Sequence, residues 1–135
     1  MARRTPLGRP HRPREKPIVW MRSSRKDLRA FPEPVIETMA LVLHKMQRNE
    51  FDASIKPLTG RPEFKGGRVQ EIVERYDKDT FRVVAAVKYP EALYVLHCFQ
   101  KKSKRGRQTP QAEIDVIISR LKDVEKQRRQ EGSKR

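Results

Sequence analysis

The chain has 135 residues and a formal net charge of +15, from 32 Lys and Arg against 17 Asp and Glu. That length allows one domain with a modest core, and that charge calls for nucleic acid or an acidic surface as partner. A single cysteine, Cys98, excludes an intrachain disulfide framework and a multi-cysteine zinc site.

The charge is not confined to the ends. Between Ile18 and Arg128 there are 23 Lys and Arg against 15 Asp and Glu, so the folded part carries +8 and the two ends the remaining +7. Residues 1–17 contain five Arg, one Lys and four Pro with almost nothing to bury, which predicts a flexible basic arm. Prolines at 6, 10, 13 and 17 forbid the amphipathic helix of an organellar transit peptide. No apolar run has the length of a signal peptide or a membrane span, and with the lone cysteine this predicts a cytoplasmic protein that leaves membranes alone.

Order is predicted to begin at Ile18-Val19-Trp20-Met21, a β-prone run. Ser23-Ser24 with Asp27 reads as the start of a short helix bearing Leu28 and Phe31, stopped by Pro32 and Pro34. A second helix is expected over 34–48, with Val35, Met39, Val42, Leu43 and Met46 as its apolar stripe. Periodicity is lost between Asn49 and Arg68, where Pro57, Gly60, Pro62, Gly66 and Gly67 predict a loop. Its Lys56, Arg61, Lys65 and Arg68 either flank a polyanion or are solvated.

From Val69 the pattern is that of strands. Runs over 69–76, 81–89 and 93–100, separated by Asp77-Lys78-Asp79-Thr80 and by Pro90-Glu91, predict a three-stranded antiparallel meander. In the middle run Phe81, Val83, Ala85 and Val87 alternate with Arg82, Val84, Ala86 and Lys88. One face is therefore expected under helices and the other partly open, with Arg82 projecting from it and not needed by the core. The last strand stops in charge: Lys101, Lys102, Lys104, Arg105 and Arg107 follow with no acid among them. A rigid strand thus delivers cations to one spot, for which RNA is the natural polyanion. Thr109-Pro110 reads as an N-cap and first helical residue, opening a helix to about Arg128 with Ile114, Ile117, Ile118, Leu121 and Val124 as its apolar stripe. Residues 129–135 read as a charged tail.

The order SSRKDLRAFPEPV, KPLTG, VQEIVERYDKDTFRVVAAVKY and YVLHCFQKKSKRGRQTP with a closing amphipathic helix resembles the phage-derived, HigB-like branch of the RelE/ParE toxin superfamily, over roughly residues 18–128. The resemblance implies an α+β fold: a small antiparallel sheet of three or four strands, two N-terminal helices on one face, and a C-terminal helix. It implies a type II toxin that cuts mRNA on the translating ribosome, without a cofactor or metal, until a cognate helix-turn-helix antitoxin neutralises it. Arg82 matches the middle-strand arginine of that pattern, and Lys101 and Lys102 the basic pair closing the last strand.

Cleavage without a metal makes the ribose 2′-hydroxyl attack phosphorus, which requires a proton acceptor, cations at the developing charge, and a donor to the leaving oxygen. Arg82 and Lys102 are the expected clamps on the scissile phosphate, with Lys101 and Arg75 beside them; Lys104, Arg105, Arg107 and Arg68 are expected to bind RNA. If Arg75 lies opposite Arg82, the two like charges mark an anion site; if Glu74 does, the pair is an ordinary ion contact. The first register is preferred because it sets Ile72 on the face of Val83 and Ala85, and it makes Glu71 a base or an orienter of Arg82. Val73 stands where some relatives have a basic residue, and no tyrosine lies in the last helix. His97 is expected to be a satisfied core residue bonded to a backbone carbonyl, and Cys98 a small buried hydrophobe. Two other functions fit the same sequence: a ParE-like topoisomerase inhibitor, and an RNA- or ribosome-binding protein without toxicity.

Overall fold

The computed structural model describes residues 15–102 and 109–133. Nine segments follow one another there: β1 (Ile18–Trp20), α1 (Ser24–Arg29), α2 (Glu33–Gln47), β2 (Ile55–Pro57), a 3-10 segment (Pro62–Gly67), β3 (Val69–Tyr76), β4 (Asp79–Ala86), β5 (Leu93–Lys101) and α3 (Gln111–Ser133). The fold is α+β, with one five-stranded sheet in the order β1-β5-β4-β3-β2. The meander β3-β4-β5 is antiparallel, as expected, and β2 extends it antiparallel. β1 adds to β5 in parallel, pairing Ile18 with Leu93. Two three-residue edge strands thus raise the count above three or four.

The hairpin between β3 and β4 is tighter than the four-residue turn expected. Tyr76 pairs with Asp79, so only Asp77 and Lys78 turn the chain. Both have positive φ, +49° and +72°, the left-handed turn whose twist matches that of the strands. This turn sets the register of everything behind it.

Each face of the sheet carries its own core. Leu28 and Phe31, with the α2 stripe Val35, Met39, Val42, Leu43 and Met46, pack on Ile72, Phe81, Val83, Ala85, Leu93, Val95 and Cys98. On the other face Ile117, Ile118, Leu121 and Val124 of α3 cover Val69, Val84, Ala86, Tyr94, Leu96 and Phe99. The face expected to be partly open is therefore largely closed by α3. Val84 and Ala86 are the reason: two buried apolar residues between Arg82 and Lys88 give α3 a surface to bury, and such burial contributes about 25 cal/mol per Å².

β5 serves both cores by alternation, and a bulge shifts its phase part-way along. His97 pairs with Val84 and Val95 with Ala85, leaving Leu96 as the extra residue. A bulge sends successive side chains to one face, so Leu96 joins the α3 core and His97 remains on that side.

The first helical bonds of α3 run from the N–H groups of Glu113 and Ile114 to the Pro110 carbonyl, so Pro110, not Thr109, stands at the cap. The helix also continues past Arg128 to Ser133. An aromatic and ionic clasp holds its distal half. The Tyr89 hydroxyl donates to Glu125, the Tyr94 hydroxyl donates to Glu91 at 2.7 Å, and Arg128 Nε donates to the same Glu91 at 2.6 Å. The Arg128 guanidinium lies 4.3 Å over the Tyr89 ring, which meets Tyr94 edge to face.

Two outcomes follow from this packing. Lys78→Gly should raise unfolding stability by about 0.5–1 kcal/mol in chemical denaturation, since only glycine takes a left-handed conformation without steric cost. Burial first, then the Glu125 and Glu91 carboxylates, push the Tyr89 and Tyr94 hydroxyls up to about 12 from 10. A raised folded pKa gives stability that is fully present below the unfolded value and lost as pH rises through the folded one. Melting temperatures should therefore fall between about pH 10 and 12, and fall less when both tyrosines are replaced by phenylalanine. Part of the fall should remain, because burial also pushes the Cys98 thiol up to about 12.

Candidate active site

The register of the central strands orders the α3-side face into rows. Strand alternation and the pairings Arg75–Thr80–Lys101, Val73–Arg82–Phe99 and Glu71–Val84–His97 give three successive rows across β3, β4 and β5. The first two rows collect Arg75, Arg82 and Lys101 at one end of one face, and Lys102 follows directly. Arg75 does not lie opposite Arg82, and neither does Glu74: Val73 does. Both predicted registers fail because the two-residue turn shortens the hairpin. The shared face of Arg75 and Arg82 survives, since the side-chain period is two.

Arg82 is not exposed. Its Nη1 donates to Glu71 Oε1 at 3.0 Å, and the two side chains are only 8% and 10% exposed. Glu71 lies two residues along β3 from Val73, so the pair is diagonal across the strands, within reach of long side chains. Of the two roles considered for Glu71, the geometry supports the orienter. A buried carboxylate also offsets the charge it orients. The positive potential of this end is accordingly carried by exposed Arg75, exposed Lys102 and half-buried Lys101 as much as by Arg82.

Behind Arg82 stands a second polar group that the sequence does not announce. His97 Nε2 lies 2.6 Å from Glu113 Oε1 in the first turn of α3. Arg120 Nη1 donates to the Leu96 carbonyl at 2.9 Å and lies 3.4 Å from His97 Nδ1, while its Nη2 donates to Ser23 Oγ at 3.2 Å. With Arg120 facing Nδ1, the ring accepts there and donates from Nε2 to Glu113. His97 also stacks on Phe99 with centroids 5.1 Å apart. It is a satisfied buried residue as expected, although its ring bonds side chains of α3 and not a carbonyl. The bulge at Leu96, which turns a backbone carbonyl toward Arg120, is the physical link that the sequence lacked. His97 thus ties the start of α3 to the strand carrying Lys101.

Arg68 is elsewhere. It precedes β3 at the end opposite Arg75, roughly 23 Å away at about 3.3 Å per residue. Lys104, Arg105 and Arg107 lie outside the described residues, as do residues 1–14 of the basic arm. Cys98 is buried in the α1-α2 core and unpaired.

A model of the phage-derived Gp49-like proteins (DUF891) matches residues 26–122, which include all three rows, Lys102 and the Glu113-Arg120 segment. The chain belongs to that family. Gp49-like proteins are associated with RelE-type toxins in general. No curated protein matches the chain. Among the described residues no helix is long and apolar enough to cross a membrane.

Because Arg82 is buried and paired, truncating it has a structural consequence that a surface cation would not have. Arg82→Ala strands Glu71 in a buried position and should cost about 3–5 kcal/mol, against about 0.5 kcal/mol or less for Lys102→Ala or Arg75→Ala. The double replacement Glu71→Leu with Arg82→Met should recover most of the loss, because it removes both charges and fills their volume. Urea denaturation of the four variants checks this. A loss below about 1 kcal/mol for Arg82→Ala would mean that the pair is not desolvated.

Proposed function

We propose that the chain is a HigB-like toxin of a type II toxin-antitoxin pair, acting in the cytoplasm as an endoribonuclease on ribosome-bound mRNA. One observation carries the reading: Arg75, Arg82 and Lys101 share one face at one end of a rigid sheet, with Lys102 next in the chain. Membership of the Gp49-like family supports it.

In this reading the substrate phosphate lies over the cationic rows. Arg82 sits just beneath that surface, held by its bond to Glu71, and its charge acts on the phosphate from there. Lys101 and Lys102 approach from β5 and Arg75 from β3, so charge developing on phosphorus meets cations from both sides. The reaction is attack of the 2′-hydroxyl on the adjacent phosphorus, expelling the 5′-oxygen of the next nucleotide and leaving a cyclic phosphate. Cations already in position are worth most here because they need not reorganise as the charge forms. Arg82 stays oriented through Glu71, and β5 is braced through His97, Glu113 and Arg120. The cognate antitoxin would cover the same end with an acidic segment, since opposite charge both steers and orients its docking.

Inducing the gene should arrest growth, and primer extension on cellular transcripts should show new 5′ ends within translated regions. Lys102→Ala should slow cleavage a hundredfold or more while the fold survives, the effect of about 3 kcal/mol at the transition state. Arg82→Lys keeps a charge for Glu71 but loses the planar guanidinium that fixes its position, and should be similarly impaired. Cleavage by Lys102→Ala at the wild-type rate would remove Lys102 from the mechanism. Arrest with intact transcripts and halted replication would point to a ParE-like topoisomerase inhibitor instead.

A further inference from the structure

The sheet has a second basic end. A cleft of about 440 Å³ lies there, lined by Lys65, Gly66, Arg68, Lys88, Tyr89 and Glu125. Arg68 immediately precedes β3, and its carbonyl accepts from Val87 N–H at 3.0 Å, which brings it beside Lys88 at the exit of β4. Lys65 and Gly66 belong to the preceding 3-10 segment, where Gly66 has φ of +74° and open space on its Cβ side. The three cations are exposed, and no described residue forms an ion pair with any of them. Glu125, the cleft's acid, accepts from the Tyr89 hydroxyl.

Three cations against the single carboxylate of Glu125 leave the cleft net positive, and an anion among the cations relieves their mutual repulsion. The cleft offers charge and little else. The Tyr89 ring is already engaged, with Arg128 over one face and Tyr94 packed against it. Such a site would hold a phosphate and ignore the base attached to it.

We infer that Lys65, Arg68 and Lys88 form a second phosphate subsite, which holds the backbone of the RNA strand at a distance from the cationic rows. This rests on the reading that RNA is the chain's ligand. The subsite is sequence-independent and does no chemistry. It anchors the strand at one end of the sheet while Arg75, Arg82, Lys101 and Lys102 act at the other, and two anchors on one rigid body raise the local concentration of the strand at the second.

The test uses the full chain, a fluorescent 2′-O-methyl oligoribonucleotide that cannot be cut by 2′-attack, and three proteins: wild type, a Lys65→Ala/Arg68→Ala/Lys88→Ala variant, and an Arg25→Ala/Lys26→Ala/Arg29→Ala control. The control removes three exposed cations from α1, on the opposite face of the sheet. Anisotropy titrations over a salt series should give the cleft variant at least tenfold weaker affinity and a log–log salt slope shallower by about 1, with the control close to wild type. In ribosomal cleavage the cleft variant should cut at the same positions. Equal weakening by both triple variants, or wild-type affinity in the cleft variant, would overturn the subsite. If wild type leaves mRNA intact while the cleft variant still loses affinity selectively, the nuclease reading fails and the subsite stands.

Discussion

The buried pairing of Arg82 with Glu71 is the constraint around which this molecule is arranged. A desolvated guanidinium is tolerated only where a carboxylate meets it with good geometry, and here the partner comes from the neighbouring strand at 3.0 Å. That contact requires the β3-β4 register, which requires the two-residue turn at Asp77-Lys78. One residue more in the turn would carry every side chain of β4 to the other face relative to β3. Arg82 would then enter the apolar core of α1 and α2. Turn, register and ion pair stand or fall together.

The same constraint shapes the proposed chemistry. Arg82 is oriented at the expense of its own field, since Glu71 offsets much of its charge, so anion binding draws on Arg75, Lys101 and Lys102 around it. Division of labour is the consequence: a buried guanidinium supplies a fixed charge, and more exposed cations supply potential. The His97-Glu113-Arg120 group adds rigidity from behind by fastening the start of α3 to the bulge of β5. In the proposed reaction Arg75, Lys101 and Lys102 are already placed on this frame when RNA docks, which is where electrostatic catalysis has its advantage.

Much of this architecture is legible in the sequence. The apolar stripe of α2 and the alternation of β4 announce their buried faces directly, because each period is set by backbone geometry and not by context. The meander and the closing helix follow from the same patterns. The edge strands are less visible: β2 is three residues ending in Pro57, and its pairing is decided by where β3 already lies. Arg82 shows the limit most clearly. An arginine alternating with apolar residues is read as solvent-facing, yet Val84 and Ala86 on that same face are apolar enough to recruit α3, and the arginine is buried with them. His97 is similar, since its partner Glu113 is sixteen residues away and meets it only after the bulge forms. The cations proposed to meet phosphate are readable as a cluster at the end of β5, with Arg75 as their companion by face. Their pairing is not, because it depends on the length of the turn, which is two residues and not four.

In the proposed reaction, RNA laid over this cationic end is cut by its own 2′-hydroxyl. The direct measurement compares two ribosome-bound messages, one all-ribose and one carrying a single 2′-deoxy substitution at the mapped cleavage position, with product ends resolved chemically. The all-ribose message should yield a 2′,3′-cyclic phosphate and a 5′-hydroxyl, and the substituted message should stay intact at that position. Cutting of the deoxy-substituted message at the same position would contradict that reaction, because no 2′-hydroxyl would be there to attack.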